Sequence, residues 1–175
     1  MNNAFTKNIL RFAFLLFLQV LVINHIQISS MVAPLIYILA ILMLPFNTPK
    51  WGLLVSAFVF GFLIDIFSGT IGLNMSATVF VAFIRPTLLN LISFGRDFNS
   101  EDSPNMKNLG ADWFISYALI MILIHHSAVF FLEVFRLHEL GTTLLRILYS
   151  SAATLVLVIL SQLLFVFRKE QSSSR

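Results

Sequence analysis

Apolar residues run through this chain in long blocks, and polar residues mostly punctuate them. The first block follows Lys7 and extends from about Ile9 to Ile28, with Arg11 near its start. It opens as a secretory leader does, but Asn24-His25-Ile26-Gln27-Ile28 follows without a small-x-small cleavage site, which predicts an uncleaved membrane span. A second block, Val32 to Phe46, is only 15 residues long, starts just before Pro34 and ends at Pro45. That pattern predicts a short span, little tilted or lying partly against other helices. Asn47-Thr48-Pro49-Lys50 breaks the chain, and Trp51 stands where an interfacial aromatic belongs. Third and fourth spans are predicted over Trp51–Phe67 and Leu73–Phe94, punctuated by Ser68-Gly69-Thr70-Ile71-Gly72. A fifth covers Asp112–Phe135 and a sixth Thr142–Phe167. The one sustained hydrophilic stretch is residues 95–111, and residues 168–175 form a solvated tail. The expectation is an all-α integral membrane protein, a single domain over residues 1–175 built as a six-helix transmembrane bundle.

Composition agrees with lipid as the missing solvent. The chain of 175 residues is 58% hydrophobic and 11% charged, against roughly 45–50% and about 25% in a soluble domain. Six helices of about 20 residues consume roughly 120 and leave about 55 for tails and loops, too few for an extramembrane domain. With no cysteine, disulfides, thiol catalysis, iron–sulfur clusters and palmitoylation are excluded. The net charge of +3 comes from basic residues scattered singly between apolar blocks, so no nucleic-acid surface is expected. Their placement reads as topology. A cytoplasmic N-terminus puts Lys7, Arg11, Lys50, Arg96, Lys107, Arg168, Lys169 and Arg175 on that side and only Arg136 and Arg146 opposite. Both termini and the 95–111 loop are therefore expected to be cytoplasmic.

Candidate chemistry concentrates between Ala57 and Pro86. Ala57, Gly61, Asp65 and Gly69 recur every four residues and share one helix face, a stripe of small residues that lets another backbone approach. Asp65 falls in the outer third of the bilayer, where an unpaired acid is costly. Three readings attach to it: a helix end reaching the headgroups, a buried acceptor pinning the turn and the helix packing, or a group handling a ligand or proton. The small-residue face favours the second. Arg85-Pro86 sits deep inside the fourth span, and a buried Asp65–Arg85 pair, direct or through water, is expected; otherwise Arg85 lines a wet bend or snorkels inward. His125-His126 point about 100° apart and cannot chelate one ion together, so no metal or other cofactor is expected. Asn24, His25, Asn74, His125 and Glu133 join Asp65 in making the outer half of the bundle the more polar one. That leaves room for a shallow outward crevice, for a ligand or a partner's helix. No catalytic motif is present, and an enzyme is not expected.

Pro34 opening the second span, Leu44-Pro45 closing it, and the run from Gly61 through Asp65, Ser68-Gly69 and Gly72 to Arg85-Pro86 resemble the MreD family. That family is the small integral-membrane component of the bacterial rod-shape machinery, or elongasome. The resemblance covers chiefly Pro34 to Leu91; the last two spans match only in hydropathy. It implies a non-enzymatic scaffold of the bacterial cytoplasmic membrane, binding an MreC-like single-span protein. Within the same complex it implies MreB, RodA and a class B penicillin-binding transpeptidase, together directing lateral peptidoglycan synthesis. The family's fold is similar to the substrate-binding S components of energy-coupling-factor transporters. A vitamin-binding S component is therefore the alternative function. The short outer loop Ser29-Ser30-Met31 counts against it, being too short for a lid. Pro34, Ala57, Gly61, Asp65, Gly69, Gly72, Arg85 and Pro86 are the expected structural and partner-binding residues.

Overall fold

The computed structural model describes residues 2–26, 31–92, 102–134 and 140–173, which are mostly helical, with no β-strand among them. Among the described residues, five helices are long and apolar enough to cross a membrane. α1 (Asn2–Phe17) continues through a wide π-turn over Leu18–Val22 and a 3-10 turn over Ile23–His25. α3 (Lys50–Ser68), α4 (Leu73–Ile92), α6 (Ala111–Val134) and α7 (Leu140–Ser173) are the other four. Between α4 and α6 lies the single turn α5 (Met106–Leu109), where the Asn105 side chain accepts the Asn108 amide proton at 2.8 Å. Residues 95–101 of the expected polar loop and Ser29-Ser30 lie outside the described residues. The helix of α7 continues through residues 168–173 of the expected tail.

Side-chain contacts fix the directions. Asn24 at the end of α1 meets Ser68 at the end of α3, so these two run in parallel. α3 and α4, α4 and α6, and α6 and α7 run antiparallel, as Asp65–Asn74, Arg85–Tyr117 and Glu133–Arg146 contacts require. Arg11 near the start of α1 and Gln162 near the end of α7 both reach Met43. The start of α1 and the end of α7 therefore lie at the same end of the bundle.

The second apolar block departs from expectation. It is not one membrane helix: residues 33–35 are extended, a 3-10 turn covers Ile36–Ile38, and α2 is only Leu39–Leu42. Pro34 keeps the residue before it out of the helical region, and Pro45 has no amide to continue a helix. Tyr37, Ile38, Ala40, Ile41 and Leu42 are 0% exposed, so this stretch is the bundle's core rather than one of its lipid-facing staves. Irregular backbone at membrane depth survives only when protein satisfies its polar groups, and here flanking helices do so. Ser150 Oγ accepts the Ala33 amide at 3.0 Å and Thr154 Oγ1 accepts the Leu35 amide at 3.0 Å. Gln19, buried in the π-turn, donates to the Pro34 carbonyl at 3.1 Å and accepts the Tyr37 amide at 3.4 Å. From the level of Ser150 to that of Gln162 the segment follows α7 for about 18 Å at 1.5 Å per residue.

Candidate functional site: a buried carboxylate, a capped interior helix and a polar crevice

α3 ends because Gly69 adopts the left-handed region (φ 68°) and returns its amide to the Asp65 carbonyl; Gly72 (φ 78°) completes the reversal into α4. The turn folds the first residues of α4 over the Asp65 side chain, which is 3% exposed. Oδ1 accepts from Thr70 Oγ1 at 2.6 Å and from both the amide and the side-chain nitrogen of Asn74 at 3.0 Å. Oδ2 accepts from the Met75 amide at 2.9 Å. Asp65 thus satisfies two of the amides that a helix start leaves unpaired, and its charge faces the positive end of α4. Every one of these neighbours donates. Among the described residues no three His, Cys, Asp or Glu side chains gather as metal ligands.

From Asp65 a polar chain crosses the bundle. Asn74 spends its side-chain nitrogen on Asp65 and Thr70, so its oxygen accepts from Tyr37 OH at 2.8 Å. The one Tyr37 proton being used, His125 donates its Nε2 proton to the Tyr37 oxygen across 2.9 Å, a tautomer assigned by this counting. His126 donates from Nδ1 to the Ile122 carbonyl at 2.9 Å, and its Nε2 lies 3.1 Å from Thr154 Oγ1. The two histidines therefore work as separate interhelical links.

Arg85 does not pair with Asp65. It lies eleven residues beyond Asn74, about 16 Å along α4, and meets the far end of the interior segment. Its Nε donates to Tyr117 OH at 3.0 Å, and Nη2 donates to the carbonyls of Leu42, at 3.4 Å, and Leu44. Tyr117 OH adds a bond to the Leu42 carbonyl at 3.2 Å, and Arg11 donates to the Met43 carbonyl at 2.8 Å. Three successive carbonyls that α2 leaves open are closed by two arginines and a tyrosine, with positive charge at the negative end of the helix. Pro86, inside α4, is half-buried beside it.

The backbone that the small-residue stripe admits belongs to the same chain. Ala57, Gly61 and Asp65 are buried, and a Cβ added to Gly61 would meet the α4 backbone at Asn74 and Met75. The stripe packs α3 on α4 within the chain. Gly69 lies exposed at the turn rather than on the packed face.

At this same end of the bundle a crevice of about 510 Å³ opens between the end of α1, residues 32–35, the α3–α4 turn and the facing ends of α6 and α7. Asn24, Ser68, Thr70 and Asn74 line one side, and Asn24 donates to Ser68 Oγ at 3.0 Å. On the other side Glu133 Oε2 and Arg146 Nη1 are 3.0 Å apart, and the guanidinium carbon lies 4.4 Å from the centre of the Phe130 ring. The sequence singles out Asp65, Asn74 and Arg85 as polar groups in apolar surroundings. Gln19, Tyr37, Tyr117, Ser150 and Thr154 carry no such signal, because these residues are common in membrane helices and only their shared target, the interior segment, gives them a role. Comparison with family models, curated proteins and solved structures finds no match to this chain.

Proposed function

We propose that this chain is a non-enzymatic scaffold of the MreD type in the bacterial cytoplasmic membrane, with both termini cytoplasmic, holding the membrane span of an MreC-like protein. In that setting it belongs to a complex with MreB, RodA and a class B penicillin-binding transpeptidase. One observation carries the reading. The residues that bear the resemblance are spent on architecture: Gly61 on close packing, Asp65 on the α3–α4 turn, and Pro34 and Arg85 on the interior segment. None is left as a reactive group. Because the α3 stripe is occupied internally, a partner's span has to use an outward face. The apolar groove between α4 and α6, about 750 Å³ with Ser76 and Ser127 beside Ala128, is one such face.

Depletion in a rod-shaped host makes cells round, and purification in mild detergent recovers a single-span MreC-like protein in near-stoichiometric amount. Normal rods after depletion, with no such partner recovered, overturn the proposal. The crevice is the observation that favours the alternative, a six-helix S component of a vitamin transporter. That reading requires tight binding of a water-soluble vitamin by the isolated chain and recovery of a transporter's coupling subunit.

A further inference from the structure

The first span is held differently from the others. Of its Asn8–His25 stretch only 11% is buried, against 33% to 44% of the other four spans. Its ties to the bundle concentrate before residue 20. Arg11 donates to the Met43 carbonyl at 2.8 Å, the Phe12 and Phe60 rings lie 4.6 Å apart, Leu15 is buried, and Gln19 bonds the Pro34 carbonyl and the Tyr37 amide. Past Gln19 only Ile23 is buried, while Leu21, Val22, Asn24, His25 and Ile26 are exposed. The hydrogen-bond ladder changes register at that boundary. Ile23 returns its amide to the carbonyls of Leu18 and Gln19, closing the π-turn, and Ile26 returns its amide to the Ile23 carbonyl at 3.1 Å, closing the 3-10 turn. A π-turn followed directly by a 3-10 turn is where a helix bends or hinges.

The stretch past the hinge is also a wall, since Ile23, Asn24 and Ile26 line the crevice. Asn24 latches it. Its Oδ1 accepts from Gln19 at 2.8 Å, and its Nδ2 donates to Ser68 Oγ at 3.0 Å, an exposed bond. Ile23 adds little to the latch: lipid tails are as apolar as a protein interior, so an apolar side chain exchanges one for the other without a hydrophobic cost. We propose that residues 20–26 are a lateral gate, which swings about the π-turn when the Asn24–Ser68 bond opens and connects the crevice to the lipid leaflet at this end of the bundle. Gln19, tied to the interior segment, is the fulcrum. A molecule dissolved in that leaflet then reaches the crevice from the side, without crossing water.

The test uses the full chain, which has no cysteine of its own, in lipid nanodiscs with nitroxide pairs read by pulsed electron paramagnetic resonance. His25→Cys and Ile71→Cys put one label on the gate and one on the α3–α4 turn, both at exposed positions. Leu10→Cys and Val55→Cys, also exposed, join α1 to α3 on the fixed side of the hinge. A gate gives the first pair two separations, and Ser68→Ala raises the wider population about threefold, the worth of an average interhelical hydrogen bond in a membrane. The second pair gives one separation with or without Ser68→Ala. A photoactivatable phospholipid reads access: its labelling of residues 32–35 rises by the same factor in Ser68→Ala, while its labelling of the Leu10 and Phe14 face stays constant. A single separation for the first pair in both backgrounds, a wider population unmoved by Ser68→Ala, a shift of the second pair, or labelling of residues 32–35 unchanged by Ser68→Ala overturns the proposal. None of these measurements depends on cell shape or on a recovered partner.

Discussion

Gly61 lies so close to Met75 that a Cβ on Gly61 would stand 2.5 Å from the Met75 Cα and 3.0 Å from its amide nitrogen. The obstacle is backbone, which cannot rotate away as a side chain can. Gly61→Ala therefore costs about 1–3 kcal/mol, the range for overpacking, and Gly61→Leu costs more. Gly141, with nothing within 4 Å of a Cβ position, is the matched control. Gly141→Ala leaves the thermal unfolding midpoint in detergent unchanged or slightly higher. Equal midpoints for the Gly61 and Gly141 variants would refute the close approach of α3 to α4.

Asp65→Asn replaces an acceptor with a donor in a ring of four donors. At least one amide proton of α4 then faces an N–H group, at a loss of about 2–3 kcal/mol, since hydrogen bonds to a charged group are worth about 1.5–3 each. Hydrogen exchange measures the effect locally: the amides of Asn74 and Met75 lose protection first. Unchanged protection at both would show that the carboxylate does not hold the turn.

Arg85→Lys keeps the charge but cannot reach Tyr117 and two carbonyls at once, because an ammonium lacks the planar fork. The variant loses about 1–3 kcal/mol, read as a lower unfolding midpoint. Arg85→Lys and Tyr117→Phe share the Leu42 carbonyl as a target, so their combined cost differs from the sum of the single costs. Strict additivity would mean that the two side chains cap α2 independently.

Topology is open to direct labelling because the chain contains no cysteine of its own. Ile71, 99% exposed at the α3–α4 turn, and Asn108, exposed in α5, lie at opposite ends of the bundle. With cytoplasmic termini, Ile71→Cys reacts with a membrane-impermeant thiol reagent in intact cells and Asn108→Cys does not. The reverse pattern inverts the orientation.

Five of the six expected spans are long helices among the described residues, and the ends of α3 and α4 were placed most closely because they carry their own chemistry. α3 begins after Pro49 and stops at Gly69, and α4 begins just after Gly72, each within a residue or two of where the pattern places it. Hydropathy does not distinguish a segment surrounded by lipid from one surrounded by protein, and so Val32–Phe46 reads as a span like the others. Only the positions of Gln19, Ser150, Thr154 and Arg85 around it reveal the difference, and those positions belong to the tertiary fold. The same limit explains the expected Asp65–Arg85 pair. Opposite charges in one bilayer invite pairing on paper, whereas each is satisfied locally by neutral groups on its own level.

Ala33 and Leu35 bond to side chains 117 and 119 residues later in the chain. At a synthesis rate of about 5–20 residues per second, their partners emerge roughly 6–24 s after they do. Throughout that interval the ribosome-bound chain carries bare amides in a stretch too short and too broken to settle in lipid by itself. Biogenesis therefore has to shelter residues 33–44, in the insertion machinery or at the water interface, until α7 arrives. α7 acts as the keystone of an element made well over a hundred residues before it, and a chain arrested before residue 150 is a substrate for membrane quality control rather than a smaller version of the same protein.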